Sequence, residues 1–310
     1  MTFVRPGILR PPSEHASYYL PLTSGCSNNS CTFCAYSFSS LGIRDLNEVK
    51  QEIDAMALYA NQRLWTPGQP DIVYEILYDW NGKRVFLQDG DALVYPYPKL
   101  LEALQYLNQK FPRLERIASY ATPQDILRRS VSELKELKDQ KLGILYLGME
   151  SGDDEVLGQI EKNATAMQMV EAAKKVKASG ILLSVTVILG LGGVQGSEKH
   201  ALLTAKTLSE MDPDYAGALT LTLIPGTKLH SEMEEGRFEL ISPFDSLREL
   251  KIIVENSAFT NCFFSSMHAS NYYSIRGLMP QDRSKILKQL HAILSRKDAG
   301  TLRPEFLRGL

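Results

Sequence analysis

The chain has 310 residues, a formal charge of −2, 44% hydrophobic residues and 23% charged residues. These values are ordinary for a folded protein and exclude disorder, collagen-like repeats and coiled coil. The balanced charge argues against a broad basic surface for nucleic acid, and the longest apolar run, Ile181 to Leu191, falls short of the ~20 residues of a spanning helix.

In chain order, the opening MTFVRPGILRPP places an Arg and a Pro where a signal peptide needs an unbroken apolar stretch, which points to a cytoplasmic protein. A first strand is predicted over Tyr18–Thr23 and a helix over Asp45–Ala60. Asp71–Trp80 reads as a short helix, because Ile72, Ile76 and Trp80 recur at a four-residue step. Strand Arg84–Gln88, helix Pro98–Lys110, strand Arg116–Tyr120 and helix Gln124–Asp139 follow. Next come strand Ile144–Met149 and a helix over Ala164–Ser179, with Asn163 as its cap, Met167, Val170 and Val176 on its apolar side, and Gly180 at its end. Strand Ile181–Leu189, helix Ser197–Met211 and strand Tyr215–Leu223 complete the alternation. Pro225 and Gly226 turn the chain, and helices are expected near Asp245–Asn256 and Gln281–Ser295. Strand–helix alternation means a mainly parallel sheet, either doubly wound or barrel-like, with too few strands for a closed eight-stranded barrel.

The four cysteines are Cys26, Cys31, Cys34 and the distant Cys262. Three crowd into a C-x4-C-x2-C loop directly after the first strand. In a reducing compartment that pattern points to metal or redox chemistry. Four arrangements compete. Structural zinc needs a fourth ligand, and the nearest histidine is His15. A plant-type 2Fe-2S centre has this spacing but would have to recruit Cys262. Three buried, inert thiols suit a core better than the polar Ser27-Asn28-Asn29-Ser30 context. The fourth is a 4Fe-4S cluster on three cysteines, with one iron left open to a small molecule.

A cysteine triad after the first strand, with the aromatic Phe33 before its last member, resembles the radical S-adenosylmethionine (SAM) superfamily. The usual spacing there is C-x3-C-x2-C, one residue shorter in the first gap. Further segments resemble that superfamily in order. Asp89-Gly90-Asp91 follows the second strand, where members bind the methionine amino group. Gly148-Met149-Glu150-Ser151-Gly152 ends the fourth and resembles members related to oxygen-independent coproporphyrinogen oxidase. Ile188-Leu189-Gly190-Leu191-Gly192-Gly193 ends the fifth and is similar to the stretch that packs on adenine. Strand C-terminal ends are where barrel active sites lie. His268-Ala269-Ser270-Asn271-Tyr272 resembles the tail of uncharacterised members.

Each segment has a plainer reading. Asp89 and Asp91 around a glycine suit a polar turn or a magnesium site. Glu150 could simply open a helix, although that explains Asp153 and Asp154 better. The glycines after Ile188 fail the dinucleotide fingerprint, since Gln195 stands where its last Gly is required. Ser119 could bond the methionine carboxylate or a loop backbone. Lys174 and Lys175 are read as solvated. No histidine lies in a metalloprotease or nucleophile–base motif; His268, in a loop, is the one nearest to an expected barrel mouth. Cys262 is either a hydrogen-atom donor or a buried, inert thiol.

The resemblance implies an α/β fold, a partial (β/α)6 TIM-like barrel over residues 1–225, with a helical C-terminal extension over 226–310 covering it rather than an independent domain. It implies one 4Fe-4S cluster on Cys26, Cys31 and Cys34, with SAM bound by Phe33, Asp89, Gly90, Asp91, Ser119, Glu150 and Gly190. Substrate contacts are expected from His268, Asn271 and Tyr272, and no catalytic residue is assigned. SAM cleaved to a 5′-deoxyadenosyl radical would abstract hydrogen from an unidentified substrate, with a flavodoxin or ferredoxin as electron donor. With one triad and no second cysteine cluster, methylthiolation and sulfur insertion lose ground, and so does cobalamin-dependent methyl transfer. The rival from another class is a non-catalytic iron–sulfur or zinc-binding protein.

Overall fold

The computed structural model describes residues 3–309. Its elements in chain order are β1 (Tyr18–Pro21), β2 (Thr23–Ser24), β3 (Gly42–Ile43), α1 (Leu46–Gln62), α2 (Asp71–Asp79), β4 (Arg84–Gln88), α3 (Tyr97–Lys110), β5 (Arg116–Ala121), α4 (Pro123–Arg128), α5 (Val131–Asp139) and β6 (Leu142–Glu150). They continue with α6 (Asp154–Gln159), α7 (Ala166–Ser179), β7 (Leu182–Leu189), α8 (Gly193–Met211), β8 (Tyr215–Thr220), α9 (Lys228–Glu234), α10 (Pro243–Asn256), β9 (Cys262–Ser265), β10 (Arg276–Met279) and α11 (Arg283–Arg296). The main sheet is mostly parallel, with eight strands in the order β1-β4-β5-β6-β7-β8-β9-β10. Among the described residues no helix is long and apolar enough to cross a membrane.

The chain divides into two compact units. The first comprises residues 1–29, 38–146 and 175–182. Its parallel strands β1, β4 and β5 are largely buried on both faces, as parallel strands under helices are. One face carries Tyr19, Phe86, Ala118, Ile144 and Tyr146 as a single apolar cluster, with Tyr19, Phe86 and Ala118 side by side in the ladder. Helix α1 is fixed to β1 by the fully buried Glu52, which is ion-paired with Arg44 at 2.6 Å and Arg5 at 2.8 Å and accepts the Tyr18 hydroxyl at 2.5 Å. A buried carboxylate is tolerable only with such partners.

The second unit comprises residues 30–37, 147–174 and 183–310. Here β7 and β8 run parallel from Ser184↔Tyr215 to Leu189↔Thr220, β8 and β9 run parallel, and β10 returns antiparallel to β9. Helix α10 packs against both α8 and α11, and α11 packs against β10. The sequence announced only helices beyond Leu223, and β9 and β10 are additions to that reading.

Three local expectations change. The stretch 124–139 is two helices, because Ser130 and Glu133 form a reciprocal cap that starts α5 anew. Helix α7 begins at Ala166 rather than Ala164. Thr165 Oγ1 accepts from Gln168 N at 3.2 Å and Gln168 Oε1 accepts from Thr165 N at 2.9 Å, so Thr165, not Asn163, caps it. Met167 is 76% exposed; the buried side of α7 is Met169, Val170, Ala172, Ala173 and Val176.

Candidate active site

In the first unit, pairing continues past β1 and β4, with Leu22 N donating to Gln88 O at 2.9 Å. The next residues are thereby brought side by side. Gly90 N donates to Gly25 O at 3.2 Å, and Gly25 N donates to Asp89 Oδ2 at 3.0 Å. Gly90 lies against Cys26, where a β-carbon on it would stand 3.0 Å from the Cys26 β-carbon. Asp91 is fully buried, and its Oδ2 accepts from Ser27 Oγ at 3.1 Å and from Thr122 N at 3.2 Å, while Oδ1 accepts from Leu93 N at 2.8 Å. Asp89 and Asp91 thus grip the residues on either side of Cys26.

Thr122 Oγ1 bridges two carboxyls, at 2.9 Å from Asp91 Oδ2 and 2.8 Å from Asp125 Oδ2. Burial, with Asp125 beside it, raises Asp91 well above the usual carboxylate range. Burial also works upward on Asp125, but hydrogen bonds with Asp91, Ser27 and Thr122, together with Arg128, outweigh it and hold Asp125 below its ordinary value. The two carboxyls are thus pushed in opposite senses, Asp91 toward its neutral form and Asp125 toward its charged form. Ser119 is buried and its hydroxyl donates to the Tyr120 carbonyl at 2.7 Å.

In the second unit, the segment carrying the other two cysteines is pinned by its backbone. Thr32 N donates to Ile160 O at 3.0 Å, Leu229 N donates to Thr32 O at 2.9 Å, and Cys34 N donates to Cys31 O at 3.1 Å. Asn163 Nδ2 donates to Ser30 Oγ at 2.7 Å. Cys31 is buried; Phe33 and Cys34 are half-buried.

Glu150, the last residue of β6, has φ +64°, a left-handed conformation that side-chain-bearing residues rarely adopt and that tends to collect at functional sites. Its carboxylate folds back over Gly148, where a β-carbon would collide with Oε1, and pairs with Lys162 Nζ at 2.9 Å. Both side chains are 11% exposed. Gly152 faces α8 so closely that a β-carbon would strike the Leu203 carbonyl. The spacing of the Gly-x-Glu-Ser-Gly segment therefore has a packing cause at each glycine. Gly190, at the end of β7, has φ +92°, and its amide donates to Glu249 Oε2 at 2.7 Å.

The loop after β9 is a tightly bonded turn. Asn271 Nδ2 donates to Ala218 O at 2.8 Å and to Ser266 O at 3.0 Å, and Thr220 Oγ1 donates to Asn271 Oδ1 at 2.9 Å. Tyr272 donates to Glu305 Oε2 at 2.8 Å beneath the Arg308 guanidinium. His268 is half-buried; its Nδ1 lies 2.9 Å from Ser270 Oγ, and burial together with Arg303 lowers its pKa. Cys262 is fully buried.

Sequence reasoning missed Lys162, His200 and Glu249. Lys175, read as solvated, donates instead to the Leu127 carbonyl at 2.7 Å. The donor set suits an iron–sulfur group, with three soft thiols on one short loop. Among the described residues no three His, Cys, Asp or Glu side chains are gathered as around a single ion. A four-iron cluster binds each thiolate to a different iron and does not require that convergence.

Residues 20–204, more than half of the chain, match the Radical SAM superfamily. The tRNA-2-methylthio-N(6)-dimethylallyladenosine synthase of Bordetella avium (strain 197N) is 25% identical over 225 residues, covering 70% of this chain and 43% of that protein. The chain thus spans less than half the length of this relative. Coproporphyrinogen III oxidase (HemN) from Escherichia coli superposes with a TM-score of 0.53 at 15% identity, covering 77% of this chain and 51% of that one. The radical SAM methyltransferase TsrM from Kitasatospora setae, solved with cobalamin and a 4Fe-4S cluster, gives 0.53 at 17% identity over 71% and 39%. These structural likenesses establish the fold, an α/β partial barrel of the TIM type. The chain belongs to the Radical SAM superfamily, whose cofactors are a 4Fe-4S cluster and SAM.

Proposed function

We propose that Cys26, Cys31 and Cys34 hold the cluster and that SAM is bound by the strand-end segments around Asp89–Asp91, Glu150 and Gly190. Once bound, these cofactors supply one-electron cleavage of the SAM carbon–sulfur bond, giving methionine and a 5′-deoxyadenosyl radical that takes a hydrogen atom from the substrate. The electron comes from a flavodoxin or ferredoxin. The protein's part is orientation. Gly90 gives Cys26 the space it occupies, and Asp89 and Asp91 fix the loop on either side of it. Lys162 and Glu150 offer a cation and an anion to the carboxylate and amine of the methionine part.

The observation that carries this reading is Glu150, held in a left-handed conformation at a strand end with its carboxylate on Lys162. We take residues 1–225 as the cofactor-binding core and 226–310 as an extension over it. The bond from Leu229 to Thr32 and that from Gly190 to Glu249 support this division. His268, Asn271 and Tyr272 stand in our reading near the substrate, Asn271 and Tyr272 as the frame that presents His268.

The similarity over 225 residues favours a second reading, transfer of a methylthio or methyl group. One assay separates the two. The anaerobically reconstituted chain is given SAM and a strong reductant, and the nucleoside products are identified. 5′-Deoxyadenosine alone supports hydrogen abstraction. S-Adenosylhomocysteine alongside it supports group transfer. Iron bound without either product leaves a non-catalytic iron–sulfur protein, and zinc in place of iron makes the cysteines structural.

A further inference from the structure

Glu249 lies on α10, beyond the stretch 20–204 that matches the family. Its side chain is fully buried, yet both oxygens are in use. Oε2 accepts from the Gly190 amide at 2.7 Å, and Oε1 accepts from the Ser197 hydroxyl at 2.7 Å. Gly190 opens the turn after β7, and Ser197 lies in the second turn of α8. One helical turn separates Ser197 from His200, which is also fully buried, with Nε2 3.9 Å from Glu249 Oε2.

The hydrogen bonds of His200 fix its tautomer. Nε2 lies 3.1 Å from the Ile188 carbonyl, which can only accept, so Nε2 carries the proton. Nδ1 is then an acceptor and takes the Ser151 hydroxyl hydrogen at 2.8 Å. Ser151 Oγ in turn accepts from Asp153 N at 3.0 Å. Two hydrogen-bonded links therefore meet on α8: Gly190 to Glu249 to Ser197, and His200 to Ser151, the residue next to Glu150. Glu249 and His200 themselves stand 3.9 Å apart, beyond hydrogen-bond reach. Through α8 the turn after β7 is tied to the turn after β6. Burial pushes Glu249 up to about 7 and His200 down to about 4. Burying such a pair is costly, and apolar packing would hold two helices together more cheaply.

We propose that Glu249 is a positioning residue for SAM: from the C-terminal segment it fixes the Gly190 turn to α8 and, through that helix, keeps the turn in register with Glu150. The inference rests on the radical SAM reading of this site. The ionised carboxylate is the better acceptor for the Gly190 amide, so the hold tightens as Glu249 loses its proton. The titratable group facing it is His200 from α8, with Asp153 behind, and His200 is neutral throughout that range.

The test uses the full chain, reconstituted anaerobically, with SAM affinity measured by equilibrium dialysis at pH 6 and pH 8. Iron content and 5′-deoxyadenosine kinetics are measured in parallel. Glu249→Leu is expected to raise the SAM Kd and KM about tenfold, with iron content and kcat at saturating SAM within about twofold of the unmodified chain. Glu249→Gln, which keeps one oxygen for the amide, should recover most of that affinity. The unmodified chain should bind SAM several-fold more tightly at pH 8 than at pH 6, and Glu249→Gln should be flat. If Glu249→Leu fails to fold, the pH comparison with Glu249→Gln decides the matter. Unchanged SAM affinity, identical pH profiles, or kcat, KM and iron falling together would overturn the positioning role. An unmodified chain that holds its cluster but binds no SAM would overturn the reading beneath it as well.

Discussion

Gly90 is pressed against Cys26, and a single added methyl group would stand 3.0 Å from both the Cys26 β-carbon and the Gly25 carbonyl oxygen. The glycine between the two aspartates is thus required by space. Gly90→Ala must move the cysteine loop, because one obstacle is backbone. The expected result is loss of most of the iron taken up on reconstitution, with the apoprotein destabilised by ~1–3 kcal/mol, the usual range for overpacking. Gly7→Ala, with open space around it and no positive φ, is the control for a generic glycine effect. Iron quantification of the two variants checks this, and equal iron in Gly90→Ala and the unmodified chain would refute it.

Asp91 gathers donors on both oxygens, and this ranks its substitutions. Asp91→Asn keeps one acceptor oxygen but sets an NH2 group against either Leu93 N or Thr122 N, which donate to different oxygens of Asp91. It is expected to lose about 1–3 kcal/mol of stability, the cost of one unsatisfied buried donor, and to load less iron than the unmodified chain. Asp91→Ala removes the acceptor for Ser27, Leu93 N and Thr122 N at once. Buried donors left unsatisfied cost about 1–3 kcal/mol each, so this variant should unfold at clearly lower urea concentration and load iron poorly. Asp125→Asn should cost less than Asp91→Ala, since its partner Arg128 is 69% exposed and a pair open to water contributes little. Equal urea midpoints for Asp91→Asn and Asp91→Ala would contradict this arrangement of donors.

Lys162 and Glu150 are mutually dependent. Lys162→Met leaves the Glu150 carboxylate 11% exposed and without that cation. A buried charge stripped of its partner typically costs about 3–5 kcal/mol, and less where water still reaches it as it does here. If the pair also holds the methionine part of SAM, Lys162→Met should raise the SAM Kd at least tenfold, or ~1.4 kcal/mol. Joint replacement, Lys162→Met with Glu150→Gln, should restore stability but not SAM affinity. Urea midpoints and equilibrium dialysis on the same samples separate the two effects.

The parallel core was legible because its strands are near-continuous apolar runs bounded by turns, as at Arg84–Gln88. The strands β9 and β10 were not, because Cys262–Ser265 and Arg276–Met279 are four residues long, and Arg276 and Leu278 point away from the core. Thr165-Ala166-Met167-Gln168 carries the capping-box pattern and would have placed the start of α7 correctly. The cysteine triad stands out in the sequence by its spacing, but what supports its loop does not. Asp89 and Asp91 read as ligand-binding residues, and the structure engages them in holding the loop. Glu249 left a faint signal, a carboxylate on the stripe that also carries Ser246 and the fully buried Ile253 of α10. Nothing local in the sequence says that its partner is the Gly190 amide, 59 residues away.

The buried pair His200 and Glu249 makes opposite contributions to the pH dependence of stability. Burial lowers His200 from 6.5 to about 4, so its contribution is complete above pH 6.5 and is lost as pH falls toward 4. Burial raises Glu249 from 4.5 to about 7, so its contribution is complete below pH 4.5 and is lost as pH rises toward 7. Each is on the order of 3 kcal/mol at full extent, and between pH 4.5 and 6.5 the two slopes cancel. The unmodified chain should therefore show little net pH dependence from this pair in that window. His200→Gln removes one slope, and its stability relative to the unmodified chain should fall as pH rises from 4.5 to 6.5. Glu249→Gln removes the other, and its relative stability should fall as pH drops over the same interval. Urea midpoints at half-unit pH steps measure both differences. Parallel curves for the two variants would mean that the two groups do not titrate in opposite senses, and that burial does not act on them as described.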